Sequence, residues 1–199
     1  IIGGAGAATL PGVTLNNLTV NRAVTMCGNV TVGGTLTLTS GAFSIGANML
    51  TLSNGANLSY GAGSLTGGLT SNLIIGTGTD ITLNAISGGL NNFNTSRNIT
   101  LGASLSLNGT LTLTAGTFTV GANTLTLNGP TIAGTPSNLV TNAASSLVFG
   151  GTTAGVLIPT SVAALNGLSI TNNSIVTLQN YIGRESCRER VKISVCAVS

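Results

Sequence analysis

Apolar and polar residues alternate in short runs along most of the chain. Leu18-Thr19-Val20, Val24-Thr25-Met26, Val30-Thr31-Val32, Leu36-Thr37-Leu38, Phe43-Ser44-Ile45 and Leu50-Thr51-Leu52 follow one another closely. A period of two predicts strands with one buried face. Leu, Val, Ile and Phe are predicted to point inward, Thr and Ser outward, where β-branched threonine suits an exposed pleated surface. Turn formers punctuate the runs: Gly46-Ala47-Asn48, Gly121-Ala122-Asn123, Asn54-Gly55, Asn108-Gly109, Asn128-Gly129 and Asn166-Gly167. Gly and Asn both tolerate positive φ, so these sites predict sharp corners. No window carries an amphipathic helical pattern.

The runs also repeat at long range. GTLTLTSGAFSIGANMLTL (34–52) returns as GTLTLTAGTFTVGANTLTL (109–127), 75 residues later. LNNLTVNR (15–22) returns as LNNFNTSR (90–97) at the same offset, and LNGLSI (165–170) opens a third copy. Repeated strand-like segments on this scale predict a stacked array. The fold class is all-β, a parallel β-helix or β-solenoid with right-handed winding favoured. Three short strands per coil give roughly 20–25 residues per coil, about three coils per repeat, and a rod roughly 40 Å long. A sandwich would want longer strands, and a transmembrane barrel longer strands with aromatic girdles. The uncharged stretch 142–170 contains Asn, Ser, Thr, Gly and Pro159, so it reads as further coils with no membrane insertion.

Charge narrows the function classes. Within 1–181 the only formally charged side chains are Arg22, Arg97 and Asp80. Two arginines cannot neutralise the phosphates a nucleic-acid binder must engage, so no nucleic-acid partner is expected. One carboxylate without His or Lys provides neither a glycosidase acid–base pair nor an activated Ser or Thr. The expectation is no enzyme, no catalytic residue, no metal and no cofactor. Gly76-Thr77-Gly78-Thr79-Asp80 faintly echoes a calcium-binding turn, but the motif works by repetition on successive coils, and Asp80 reads as a solvated turn residue. Cys27, the one cysteine of 1–181, reads as an idle, half-buried thiol at a turn. Arg22 and Arg97 recur at the repeat offset and read as solvent-facing corner residues, with sparse contacts to anionic glycans as the alternative. Thr35, Thr37 and Thr39, with Thr110, Thr112 and Thr114, form outward hydroxyl rows that offer surface contacts.

The chain changes character after 181. IGRESCRERVKISVCAVS (182–199) holds four of the six Lys and Arg, two of the three acids and two of the three cysteines. It resembles one translated frame of a common short-read sequencing adapter, with Glu185, Lys192 and Cys196 as departures. We therefore read 1–181 as a β-solenoid repeat fragment cut at both ends, and 182–199 as an adapter-derived tail. Ile1-Ile2-Gly3 resembles the internal Ile74-Ile75-Gly76, in keeping with an internal start. Cut coils expose open sheet edges, so end-to-end self-association is expected.

The signature GTLTLTAGTFTVGANTLTLNG, preceded by LNNLTVNR, resembles repeats of very large secreted proteins of Bacteroidota-type bacteria. It is similar, more loosely, to autotransporter passenger and filamentous-adhesin repeats. That resemblance implies export and display in a secreted or cell-surface location. The expected function is a non-catalytic stalk or adhesin segment whose partners are glycans or neighbouring surface proteins. An ice-binding solenoid with outward threonine rows is the alternative, and a polysaccharide-degrading β-helix enzyme ranks last.

Overall fold

In a computed structural model the chain is described over residues 6–129, 132–173 and 176–178. The tail 182–199 lies outside the described residues. The first nine strands are β1 Ala8–Leu10, β2 Val13–Leu15, β3 Leu18–Asn21, β4 Val24–Met26, β5 Val30–Val32, β6 Thr35–Ser40, β7 Ala42–Ser44, β8 Met49–Leu52 and β9 Asn57–Tyr60. The next nine are β10 Ser64–Thr66, β11 Asn72–Ile75, β12 Ile81–Leu83, β13 Ile86–Ser87, β14 Asn92–Thr95, β15 Ile99–Leu101, β16 Leu105–Leu107, β17 Leu111–Leu113 and β18 Phe118–Thr119. The last are β19 Thr124–Leu127, β20 Ile132–Gly134, β21 Leu139–Val140, β22 Ser146–Phe149, β23 Val156–Ile158, β24 Gly167–Ile170 and β25 Val176–Leu178. One 3₁₀ turn, Pro136–Asn138, precedes β21.

Almost every strand pairs in parallel with the strand three places on, so the chain winds as a β-solenoid of about eight turns with three faces. Face one carries β1-β4-β7-β10-β13 and then β16-β19-β22-β24. Face two carries β2-β5-β8-β11-β14-β17-β20 and then β23-β25, and face three β3-β6-β9 and then β12-β15-β18-β21.

Alternation sets what lies inside. On face two, Val13, Val30, Leu50, Leu73, Phe93, Leu111 and Ile132 stack as one internal column. The outward residues between them begin Thr14, Thr31, Thr51. Each inward Leu, Ile or Phe contributes about 1.5–3 kcal/mol by leaving water. Coil size tracks side-chain size. Paired residues of the first two turns are only 16 to 18 apart (Ala8 with Val24, Val13 with Val30, Leu18 with Leu36), because two-residue corners join the strands of the first turn. Later strand pairs lie 18 to 23 apart, as in Ile81 with Ile99 and in Leu50 with Leu73. Turns are thus often shorter than the 20–25 residues expected. The narrow first turn is filled by Ala8, Leu10, Val13, Leu15, Leu18 and Val20, whereas the buried phenylalanines Phe43, Phe93, Phe118 and Phe149 all sit in wider turns. Phe93 and Phe118 meet edge to face, with centroids 5.8 Å apart.

The sequence repeat and the coil are out of step. Leu36 lies in β6 on face three, and its repeat equivalent Leu111 lies in β17 on face two. The repeat therefore advances eleven strands, or three and two-thirds turns. The third copy, LNGLSI, places its Leu168-Ser169-Ile170 in β24 on face one.

Each face is interrupted once. Face three breaks between β9 and β12, face one between β13 and β16, and face two between β20 and β23. At the second break, the isolated pair Leu90 with Leu107 takes over, after the left-handed residues Gly88 (φ 85°) and Gly89 (φ 71°) step the chain outward.

The inward and outward sides of one strand should respond differently to truncation. Phe118→Ala is expected to cost about 3–5 kcal/mol, and its neighbour Thr119→Ala less than about 0.5 kcal/mol. Urea unfolding followed by far-UV circular dichroism reads both. Equal losses would mean that β18 does not present these two residues to opposite sides.

Candidate functional site

The threonine rows are outward, as expected. In β6, Leu36 and Leu38 are fully buried while Thr35 and Thr37 are half-buried and Thr39 is exposed. Around β17, Leu111 and Leu113 are buried while Thr110 and Thr112 are half-buried and Thr114 is exposed. Each row stands on an Asn-rich strand of the preceding turn. Thr37 pairs with Thr19, and Thr112 with Asn94. The Thr35 N–H donates to Asn17 Oδ1 (2.7 Å), and the Thr110 N–H donates to Asn92 Oδ1 (2.7 Å). Thr114 Oγ1 donates to Asn94 Oδ1 (2.9 Å). The two patches are chemically alike and uncharged. They do not come together, because one is on face three and the other on face two.

Arg97 departs from expectation. The sequence places it at a solvent-facing corner with sparse glycan contact; the structure leaves it 3 % exposed. Its guanidinium turns into the stacked corners of the two preceding turns. Nη1 donates to the Ala56 carbonyl (2.7 Å) and the Thr79 carbonyl (3.2 Å). Nη2 donates to the Thr77 carbonyl (2.7 Å) and the Ser53 carbonyl (3.4 Å), and Nε to the Gly76 carbonyl. Ala56 precedes β9 and Thr79 nearly abuts β12, so one side chain spans the break on face three. Two further bonds help: the Gly55 N–H to the Thr77 carbonyl (2.6 Å) and Thr79 Oγ1 to Asn57 Oδ1 (2.7 Å). Burial lowers the Arg97 pKa, yet a guanidinium stays charged, and five carbonyl dipoles replace its water. Arg22, its repeat equivalent, is half-buried, with Nε on the Gly6 carbonyl (2.6 Å) and Nη2 on the Ala7 carbonyl (3.2 Å). Both arginine corners are overlaid one turn later by a left-handed glycine, Gly41 (φ 75°) and Gly116 (φ 72°). A Cβ at either would stand 2.3 Å from the arginine carbonyl carbon, so only glycine fits.

Asparagine does a different job from the one expected. Among the described residues no non-glycine has positive φ. In the Gly-Ala-Asn corners the glycine makes the left-handed step (Gly46 φ 60°, Gly121 φ 63°), and the asparagine amide stitches turns. Asn48 Nδ2 donates to the Met26 carbonyl (2.9 Å), and Asn123 Nδ2 to the Leu101 carbonyl (2.8 Å). The buried serines Ser71 and Ser145 then donate from the next turn to the Gly46 and Gly121 carbonyls. Of the four Asn-Gly steps, only Gly55 is left-handed (φ 80°).

Remaining candidate chemistry is sparse. Asp80 is exposed and accepts from Asn98 Nδ2 (3.0 Å). Cys27, read from sequence as half-buried, is exposed, because the corner after Met26 turns its side chain away from the core. Among the described residues no three His, Cys, Asp or Glu converge in a way that could hold a metal ion, and no helix is long and apolar enough to cross a membrane. Tyr60 lies at the end of β9 beside the face-three break. Burial pushes its phenol up to about 12, with the Asn84 backbone offsetting part of the shift.

Two outcomes follow. Arg97→Ala strips five carbonyls of their donor and is expected to cost about 3 kcal/mol or more. Arg97→Lys should recover little, because a compact ammonium cannot span the same fork. Arg22→Ala should cost less than Arg97→Ala; equal urea midpoints for the two alanine variants would remove the bridging role. For Tyr60, the folded pKa lies above the unfolded value of 10, so the folded state holds the proton longer. Its contribution is complete below pH 10 and is lost as pH rises to about 12, a total of about 2–3 kcal/mol. Stability measured from pH 9 to 12 should fall less steeply in Tyr60→Phe; parallel curves would contradict this.

No protein-family model, curated protein or solved structure matches the chain.

Proposed function

We propose that this chain is a non-catalytic stalk or adhesin segment of a secreted or cell-surface bacterial protein. The observation that carries the reading is the hydroxyl coat along an extended, continuously cored rod. Thr9, Thr25 and Thr66 line face one, Thr14, Thr31 and Thr51 face two, and Thr82, Thr100 and Thr119 face three. Such a rod supplies length and rigidity. Its parallel ladders leave few backbone groups open to a protease. Its neutral hydroxyl and amide surface suits glycans or the similar surface of a neighbouring protein. With Arg97 turned inward, this reading favours neutral over anionic glycans.

Ice binding is the second reading, favoured by those same threonine columns. It is weakened by the placement of the two widest rows, Thr35-Thr37-Thr39 and Thr110-Thr112-Thr114, on different faces.

The readings separate experimentally. The purified chain is expected to resist proteinase K for hours at 37 °C, to be retained on immobilised neutral polysaccharide, and to show no thermal hysteresis. Rapid digestion removes the stalk reading, and loss of retention across a panel of neutral glycans removes the adhesin reading. Thermal hysteresis would install the ice-binding reading instead, and turnover of any polymer in the panel would make the chain an enzyme.

A further inference from the structure

We infer that the chain is a cross-linker of neutral polysaccharide, with its two threonine patches engaging two separate glycan chains. This rests on the glycan-contact reading above and names how that contact is made. The argument begins with the repeat advance. A repeat of three or four whole turns would stack Thr110-Thr112-Thr114 above Thr35-Thr37-Thr39 on one face, and one extended polymer or flat lattice could lie across both. The advance of three and two-thirds turns moves the second patch to the next face. At about 4.8 Å per turn the patches are separated by about 18 Å along the axis. Their outward normals diverge, because faces two and three are different sides of a three-sided coil. A straight chain lying on one patch points away from the other.

The patches are built for the same ligand class. Each is a two-layer grid, with three threonines in one turn over Asn17, Thr19 and Asn21 or over Asn92, Asn94 and Ser96 in the turn before. Several of the Asn Oδ1 atoms already accept from the chain, which fixes the amides in place. The hydroxyls and amides around them can both donate and accept. No charged side chain belongs to either grid. A polymer of neutral sugars matches in charge, and it offers donors and acceptors at short intervals. An anionic polymer meets no cation here, since Arg97, directly after Ser96, spends its guanidinium on carbonyls.

The test uses the whole chain with soluble galactomannan, dextran and hydroxyethyl cellulose. Binding is read by retention on the immobilised polymers, and cross-linking by light scattering of the soluble ones. Wild type should bind at least one polymer and raise its scattering, with a maximum near equivalence and a decline when protein is in excess. Thr35→Val, Thr37→Val and Thr39→Val combined remove the hydroxyls of one patch and keep β propensity. That variant should still bind, should lose the scattering rise, and should lose the roughly hundredfold or greater avidity gain of two-point attachment. The matching Thr110→Val, Thr112→Val and Thr114→Val variant should behave alike, and circular dichroism checks that both fold. Binding without a scattering rise, or a scattering rise that survives in either single-patch variant, overturns the cross-linking while leaving the glycan reading intact. Absence of binding in wild type overturns both.

Discussion

Everything in this molecule depends on one constraint: a strand must meet, in register, the strand three places later. The backbone of each turn then saturates the next, and the two-residue side-chain period is copied from turn to turn. Columns such as Val30, Leu50, Leu73, Phe93 and Leu111 exist because the register holds, not because those residues attract one another specifically. Volume is regulated by coil length, so narrow turns take Ala and Val and wide ones take Phe. Corners are freer, and they absorb insertions while the ladders stay aligned.

That division explains what could be read from the sequence. The strands, the inward and outward assignment, and the parallel stacking were legible in runs such as Leu36-Thr37-Leu38, because alternation is a local property. The phase of the repeat was not. Between Tyr60 and Asn92 the corners vary in length and the alternation is weaker, so counting strands along the chain yields about three coils instead of three and two-thirds. The fate of Arg97 was equally hidden. Arg22 and Arg97 sit in similar local sequence, yet Arg97 is swallowed by corners at 53–56 and 76–79, which become its neighbours only after two turns of winding. Asn48 and Asn123 were visible as recurrent corner residues, but their amides serve the turn below, a contact that no short window contains.

The repeat's non-integral advance also separates evolutionary from structural equivalence. Gly41 and Gly116 perform the same left-handed step over an arginine corner while standing at different edges of the prism. The corner devices are therefore portable: each needs a turn below and a turn above, and none needs a particular side of the rod.

The staggered interruptions set the load path of the rod. Between the third and fourth turns, and between the fifth and sixth, one face is open while the other two remain laddered, so tension is shared. Between the seventh and eighth turns, β19 with β22 is the sole strand pairing among the described residues. Pulled along its axis, the filament has its elastic limit at that joint. The turns beyond it would part as a unit while the body stays wound, which makes the joint a mechanical fuse.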